Sequence, residues 1–459
     1  MDGMSIASYA CLSYCWGGAQ SLYCTPDKLD TLGNWTCNID KLPSTLRDAF
    51  EVAQSLGIQN LWIDSLCIIQ SDEADVEREI LMMPQIYRNA KVTICASSAN
   101  SCHDGFLHTR ADYSECRIPL ELPGGKQGNL YLDSHTWWSP PVKEPLGARA
   151  WALQERLLSP RILEYGWRTA RWSCGCASSY SGDQNSPVVE IKGSTSRSGG
   201  PYPYSLFLYL NPFGIRLLTT SKDGLLHSWS RIVKDYTSLN ISFRDDRLAA
   251  IGGIAQELQQ ATGVRYLAGL WDYERLPTLL QWRVTTPLLA LLPRPQKSRA
   301  PSWCWPATDN AVMLHHTEEV VDGFAIMGMN VVGGFGKTAS GTISLKSPIR
   351  HFNLARLQRT VRFGTIDSEE TQDLPEQLVF WPDCADELIQ VIDGEPRLIA
   401  AEYVFVAIGK VSWDQGLVRG LILKLDSSGL YHYRVGLFQA SDSGEFSTQD
   451  WNVESITIQ

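Results

Sequence analysis

Ten residues from Leu61 to Gln70, LWIDSLCIIQ, constrain the fold most, because Asp64, Ser65 and Cys67 interrupt an otherwise apolar run. Such a run predicts a strand buried on both faces, where each polar group must find a partner or a task. The residues before it, LPSTLRDAFEVAQSLGIQN, set Leu46, Ala49, Phe50, Ala53 and Leu56 at helical spacing, with Ser44 as the N-cap and Gly57 as the stop. Upstream, Tyr9 to Trp16 (YACLSYCW) reads as another strand, ending in Gly17-Gly18 where the chain turns sharply. Strand, loop, helix, strand is the opening of a parallel α/β sheet, whose ligands sit outside the carboxyl ends of the strands. Ser13, Tyr14, Trp16, Gly17 and Gly18 are therefore expected on one rim with Asp64, Ser65 and Cys67.

Asp72-Glu73-Ala74-Asp75 marks the start of a second helix, since acidic side chains favour the positive end of the macrodipole. Ile80, Met83, Ile86 and Tyr87 form its apolar face, and Pro84 predicts a kink or an early break. Lys91 to Ser97, KVTICAS, has the β-branched content of a buried strand. Good helix formers fill Arg149 to Arg156, RAWALQER, and Ser159-Pro160 should end that helix before the strand RILEYG. From Leu225 to Ala255 the pattern is helical, with Trp229, Ile232, Val233 and Tyr236 on one face. Beyond Gly323, short runs such as TISLKS, EYVFVAIGKV, LILKL and YHYRVGLF predict a β-rich subdomain.

With 459 residues, 44% of them hydrophobic and 20% charged, the chain can bury one large core or two smaller ones. A net charge of −10 offers no basic face for phosphate backbones, which argues against a nucleic-acid partner. No stretch approaches the roughly 20 uninterrupted apolar residues that span a bilayer. The first residues lack a basic leader region, so a cytoplasmic protein is the expectation. Several of the twelve cysteines, including Cys11, Cys67 and Cys95, fall inside apolar strands and read as thiols rather than bridges. The pair Cys174 and Cys176 has neither CxxC spacing nor a nearby histidine, so no metal site is expected.

Four blocks in order, LSYCWG, LPSTLRDAFEVAQSLGIQNLWIDSLCIIQ, DEADVEREILMMPQIYRNAKVTICASSA and RAWALQERLLSPRILEYG, resemble the heterokaryon-incompatibility (HET) domain of filamentous fungi. FRDDRLAAIGGIA, YLAGLW and APSWCW resemble, more weakly, a C-terminal region shared by many of these proteins. Val76 departs from the family, which usually has a tryptophan there. The resemblance implies an α/β fold: a mainly parallel, TIR-like sheet flanked by helices, then a mixed helical and β-rich C-terminal region. The boundaries read as a HET domain over residues 9–190, a Gly/Ser/Pro-rich loop or linker over 191–205, a helical region over 206–320 and a β-rich subdomain over 321–459.

The resemblance also implies a role in non-self recognition, with the domain as the effector of cell death and an incompatibility partner or self-association as its trigger. HET domains are distant relatives of TIR domains, whose NAD-cleaving members carry a glutamate four positions after a tryptophan. Trp151 and Glu155 reproduce that spacing, which makes Glu155 the expected catalytic carboxylate and NAD a substrate rather than a tightly bound cofactor. Trp16 or Trp151 would then stack on a substrate ring, Gly17-Gly18 would receive a phosphate on backbone amides, and Arg149 would complete the binding set. The residues also allow other readings. Cys67 with His103 and Asp64 has the composition of a nucleophilic triad, suited to an enzyme of secondary-metabolite biosynthesis acting on a small molecule. A non-catalytic signalling module is the third alternative, in which Glu155 only forms a salt bridge with Arg149 or Arg156.

Overall fold

The computed structural model describes residues 8–18, 22–31, 33–109, 116–122, 124–132, 144–167, 170–174, 177–181, 189–191, 222–314, 319–354, 361–363, 378–385, 387–392, 395–410 and 416–459. The chain divides into two compact units, Met1–Gly214 and Ile215–Gln459. The Gly/Ser/Pro-rich stretch from Lys192 to Tyr204 lies outside the described residues. Among the described residues no helix is long and apolar enough to cross a membrane, and ten cysteines carry unbridged thiols.

The first unit is an α/β sandwich. Its strands and helices run β1 (Tyr9–Ser13), α1 (Ser44–Ser55), β2 (Asn60–Trp62), α2 (Asp64–Cys67), α3 (Glu73–Asn89) and β3 (Val92–Cys95). After these come a hairpin of β4 (Cys116–Leu122) with β5 (Lys126–Leu132), then α4 (Ala150–Leu158), β6 (Arg161–Tyr165), β7 (Ala170–Cys174), β8 (Ala177–Ser181) and β9 (Val189–Ile191). The sheet has the order β2-β1-β3-β6-β7-β8-β9. Its first four strands are parallel and the rest antiparallel. Parallel pairing stops at β6 because a short turn, rather than a crossover helix, returns the chain into β7.

The order β2-β1-β3 places the change of winding direction between β1 and β3. In open α/β sheets the crevice at that point is where ligands bind. Residues of β1 and β3 alternate between two cores. Ala10, Leu12, Tyr14, Val92 and Ile94 pack with Leu46, Ala49 and Ala53 of α1. Cys11, Cys15 and Cys95 face the other way, in clusters with Met83 and Tyr87 of α3 and with Ala152 and Leu158 of α4.

Four local expectations are corrected. Strand β2 stops at Trp62, and LWIDSLCIIQ does not continue as one buried strand. The Asp64 carboxylate accepts the Ser65 N–H at 2.6 Å, and the amides of Leu66 and Cys67 turn back to the Ile63 carbonyl, which starts a helical turn. Ser44 lies inside α1 rather than capping it, and Pro43 takes the cap position. The Thr45 amide is instead satisfied by the Cys102 carbonyl of the loop after β3, at 2.9 Å. Leu56 is exposed, and Val52 takes the buried place on that face. Finally, α3 runs through Pro84 to Asn89 without breaking, held by the Asp72 cap at one end and by packing of Met83 and Tyr87 along its length.

The second unit begins with α5 (Lys222–Thr237) and α6 (Ala249–Thr262), in which Trp229, Ile232, Val233 and Tyr236 are all buried. Strands between Glu319 and Ile458 then build a nine-stranded sheet. Five of them pair in a closed circuit, 402–410 with 417–425, 432–441, 452–458 and 339–353, the last returning to the first. The circuit shuts between 432–441 and 452–458 through the single pair His432–Ile458. Phe380, Tyr403, Phe405, Val418, Ile422 and Phe438 fill the core of this unit.

Candidate functional site

Ser13 is the last residue of β1 and is buried to 1% exposure. Its hydroxyl donates to a carboxylate oxygen of Glu155, on the second turn of α4. Glu155 is 6% exposed, and burial pushes its pKa from 4.5 to about 7. Arg149 and the Ser13 hydroxyl pull that value down, while the negative charge of Asp64 adds to the rise.

Asp64 follows the carboxyl end of β2. The Trp16 indole N–H donates to its Oδ2 at 2.9 Å and the Ser65 amide to its Oδ1. Burial nonetheless holds this carboxyl above its usual range, against the pull of Arg149 and these two donors. The Tyr14 hydroxyl donates to Ser65 Oγ at 2.8 Å, and the Arg149 guanidinium donates to the Tyr14 carbonyl. Arg149 is the residue before α4, so this one side chain brings positive charge to both carboxylates from a helix start.

Gly17 and Gly18 have φ of +75° and +128°, the left-handed region. A Cβ on Gly17 would lie 2.1 Å from the Ser101 Cβ, so no side chain fits where the loop after β1 crosses the loop after β3. Both glycines are exposed.

Ser13, Tyr14, Trp16, Ser65, Asp64, Arg149 and Glu155 thus form one connected set around the β1 end. Trp151 stands apart from them. It is partly buried and packs against the cluster that holds Met83, Tyr87 and Leu158. Cys67 and His103 do not join the set either. No hydrogen bond links Cys67, His103 and Asp64. Cys67 is exposed, and the surrounding protein raises its thiol pKa, the opposite of what an activated nucleophile needs. His103 is an exposed loop residue whose backbone amide donates to Ser101 Oγ.

A second polar group escaped the sequence reading. Glu164 of β6 is 4% exposed and accepts from Ser97 Oγ at 2.6 Å, from Arg156 and from Arg171 at 2.9 Å. The two guanidiniums hold its carboxyl below the usual range in spite of burial. Ser13, Cys95, Glu164 and Arg171 are register partners across β1, β3, β6 and β7, so they share one face of the sheet. Helix α4 lies along that row and sets two consecutive residues on it: Glu155 on Ser13, and Arg156 on Glu164. The available signal was the lone acid in RILEYG, which must be paired if that run is a strand between two others.

Residues 9–155 match the family model described as Heterokaryon incompatibility protein (HET). The chain carries a HET domain. Its matched segment opens on the first residue of β1 and closes on Glu155, so it holds every residue of the Ser13–Glu155 set, while Glu164 and Arg171 lie beyond it. Comparison with curated proteins and with solved structures gave no match. The HET domain associates the chain with heterokaryon incompatibility.

Proposed function

We propose that this protein is an effector of non-self recognition whose HET domain cleaves NAD between nicotinamide and ribose, and that the loss of NAD drives cell death. The observation that carries the reading is Glu155, a buried carboxyl with a pKa near 7 held by Ser13 at the point where the sheet changes direction. Nicotinamide is a cationic leaving group, so the enzyme's main task is to stabilise the positive charge that develops on the sugar. Ionised Glu155 does this from beside the ribose. The bond from the ribose anomeric carbon to the ring nitrogen breaks, and its electron pair neutralises the pyridinium. Water adds to the anomeric carbon and gives its proton to a carboxylate, Asp64 or Glu155 itself, leaving nicotinamide and ADP-ribose. Trp16, anchored on Asp64, offers a ring face to nicotinamide, and the exposed Gly17-Gly18 amides with Arg149 receive the diphosphate.

Nicotinamide release by the full chain at high protein concentration tests this. Glu155→Gln and Asp64→Asn are compared with the wild type after each is confirmed folded. Turnover by the wild type and a loss of at least about 100-fold in Glu155→Gln is the expected result. Absence of turnover at every concentration, or equal turnover in Glu155→Gln, overturns the reading and leaves a non-catalytic signalling module.

A further inference from the structure

The hairpin between β6 and β7 turns just after the Tyr165–Ala170 pair, at the same end of the sheet as Ser13 and Asp64. Trp167 sits in that turn with 43% of its surface exposed. One exposed ring needs no explanation on its own, but Trp167 shares its surface with a second ring and an apolar side chain. Its backbone amide donates to the Glu144 carboxylate at 2.9 Å, and its ring lies 6.0 Å from that of exposed His108, in the loop after β3. Leu107 beside it is 37% exposed, so the two loops together present an apolar and aromatic ledge on the rim. The next pair down the hairpin is Glu164 with Arg171, an ion pair at 2.9 Å.

From these placements we infer that Trp167 is the stacking platform for a second ring of the substrate, a purine carried on a phosphorylated nucleoside. The inference rests on the NAD-cleaving reading of Glu155. β6 lies two strand positions from β1, about 10 Å across the sheet. A substrate with one ring at the Asp64–Trp16 pair and phosphates on the Gly17-Gly18 turn extends over the loop after β3, because Gly17 is seated on Ser101 of that loop. His108 and Trp167 stand further along the same path. An indole has few side-chain torsions to settle, so it accepts a flat base with little loss of freedom, and stacking tolerates any purine.

Equilibrium dialysis of the full chain with 5′-AMP and, separately, with nicotinamide mononucleotide tests the platform without requiring turnover. The variants are Trp167→Ala and Trp167→Phe, the second keeping a flat ring. Binding of 5′-AMP should weaken by about 5- to 150-fold in Trp167→Ala, remain close to wild type in Trp167→Phe, and nicotinamide mononucleotide binding should be unchanged in both. Equal 5′-AMP binding by wild type and Trp167→Ala overturns the inference, as does absence of 5′-AMP binding to the wild type. Binding of 5′-AMP that depends on Trp167, in a protein that releases no nicotinamide, leaves the platform standing and removes the catalytic reading alone.

Discussion

Two buried carboxyls, Asp383 in the second unit and Glu155 in the first, are held in different ways. In the second unit, Arg434 and Asp383 are 0% and 1% exposed and paired with each other, although burial still raises the pKa of the Asp383 carboxyl and lowers that of the Arg434 guanidinium. Arg434 donates twice to Asp383, at 2.9 and 3.1 Å, once to the Leu280 carbonyl and once to that of Trp282, and its guanidinium stacks 3.5 Å over the Trp282 ring. In the first unit, Glu155 is almost as deeply buried, yet the interactions that reach it leave its pKa raised to about 7. A buried ion with a full complement of partners serves the fold. A buried carboxyl that its surroundings only half stabilise costs the fold something and remains poised to change its charge.

The largest expected effect breaks the satisfied site. Arg434→Met strands Asp383 in an apolar interior and should cost about 3–5 kcal/mol in urea unfolding. A loss under about 1 kcal/mol would mean that the pair contributes little and that the contrast between the two sites is false.

The poised site should respond with the opposite sign. Glu155 has a folded pKa raised from 4.5 to about 7, so its share of stability is fully present below 4.5 and is lost as pH rises through 7. Glu155→Gln removes that loss. The variant should therefore exceed the wild type at pH 8 by up to about 3 kcal/mol and show a flatter stability profile between pH 4 and 8. Parallel profiles for the two proteins would show that Glu155 is not the group held out of balance. For the same reason nicotinamide release should climb with pH through about 7, as Glu155 ionises.

A smaller effect probes the seat of the rim. Gly17→Ala places a methyl against Ser101 in a left-handed backbone, and should cost about 1–3 kcal/mol while lowering NAD affinity more than the stability loss explains. The smallest is Cys67→Ser, which should leave stability within about 0.5 kcal/mol and turnover within about two-fold, since the thiol is exposed and unactivated. Abolished turnover in Cys67→Ser would restore the thiol reading.

The parallel half of the first unit was legible because each signal was local. Apolar runs marked β1 and β3, the spacing of Leu46, Ala49 and Ala53 marked α1, and Gly57, with φ of +67°, ended it as expected. The rim residues followed from topology, since strand ends in a βαβ unit converge. What stayed hidden depended on partners distant in the chain. Ser44 lost the cap position to Pro43, and the Thr45 amide found its acceptor in the Cys102 carbonyl, 57 residues further along the chain. Trp151 shared a spacing motif with Glu155 and lies one turn before it on the same face of α4, but its ring packs against the cluster of Met83 and Tyr87, a contact no spacing motif shows. Glu164 was unreadable without the register that sets it beside Cys95 and opposite Arg171.

That register has a consequence for how the site comes into being. Only Ser159 and Pro160 separate α4 from β6, so the chain between Glu155 and Glu164 has almost no slack. If β6 entered the sheet one residue out of step, Glu164 would turn to the other face and Arg156 would lose its anchor. Helix α4 could not then lie with Glu155 on Ser13. Assembly of the carboxylate centre and correct zipping of β6 onto β3 are thus a single folding event, and a chain that has mispaired that strand carries no half-formed version of the centre.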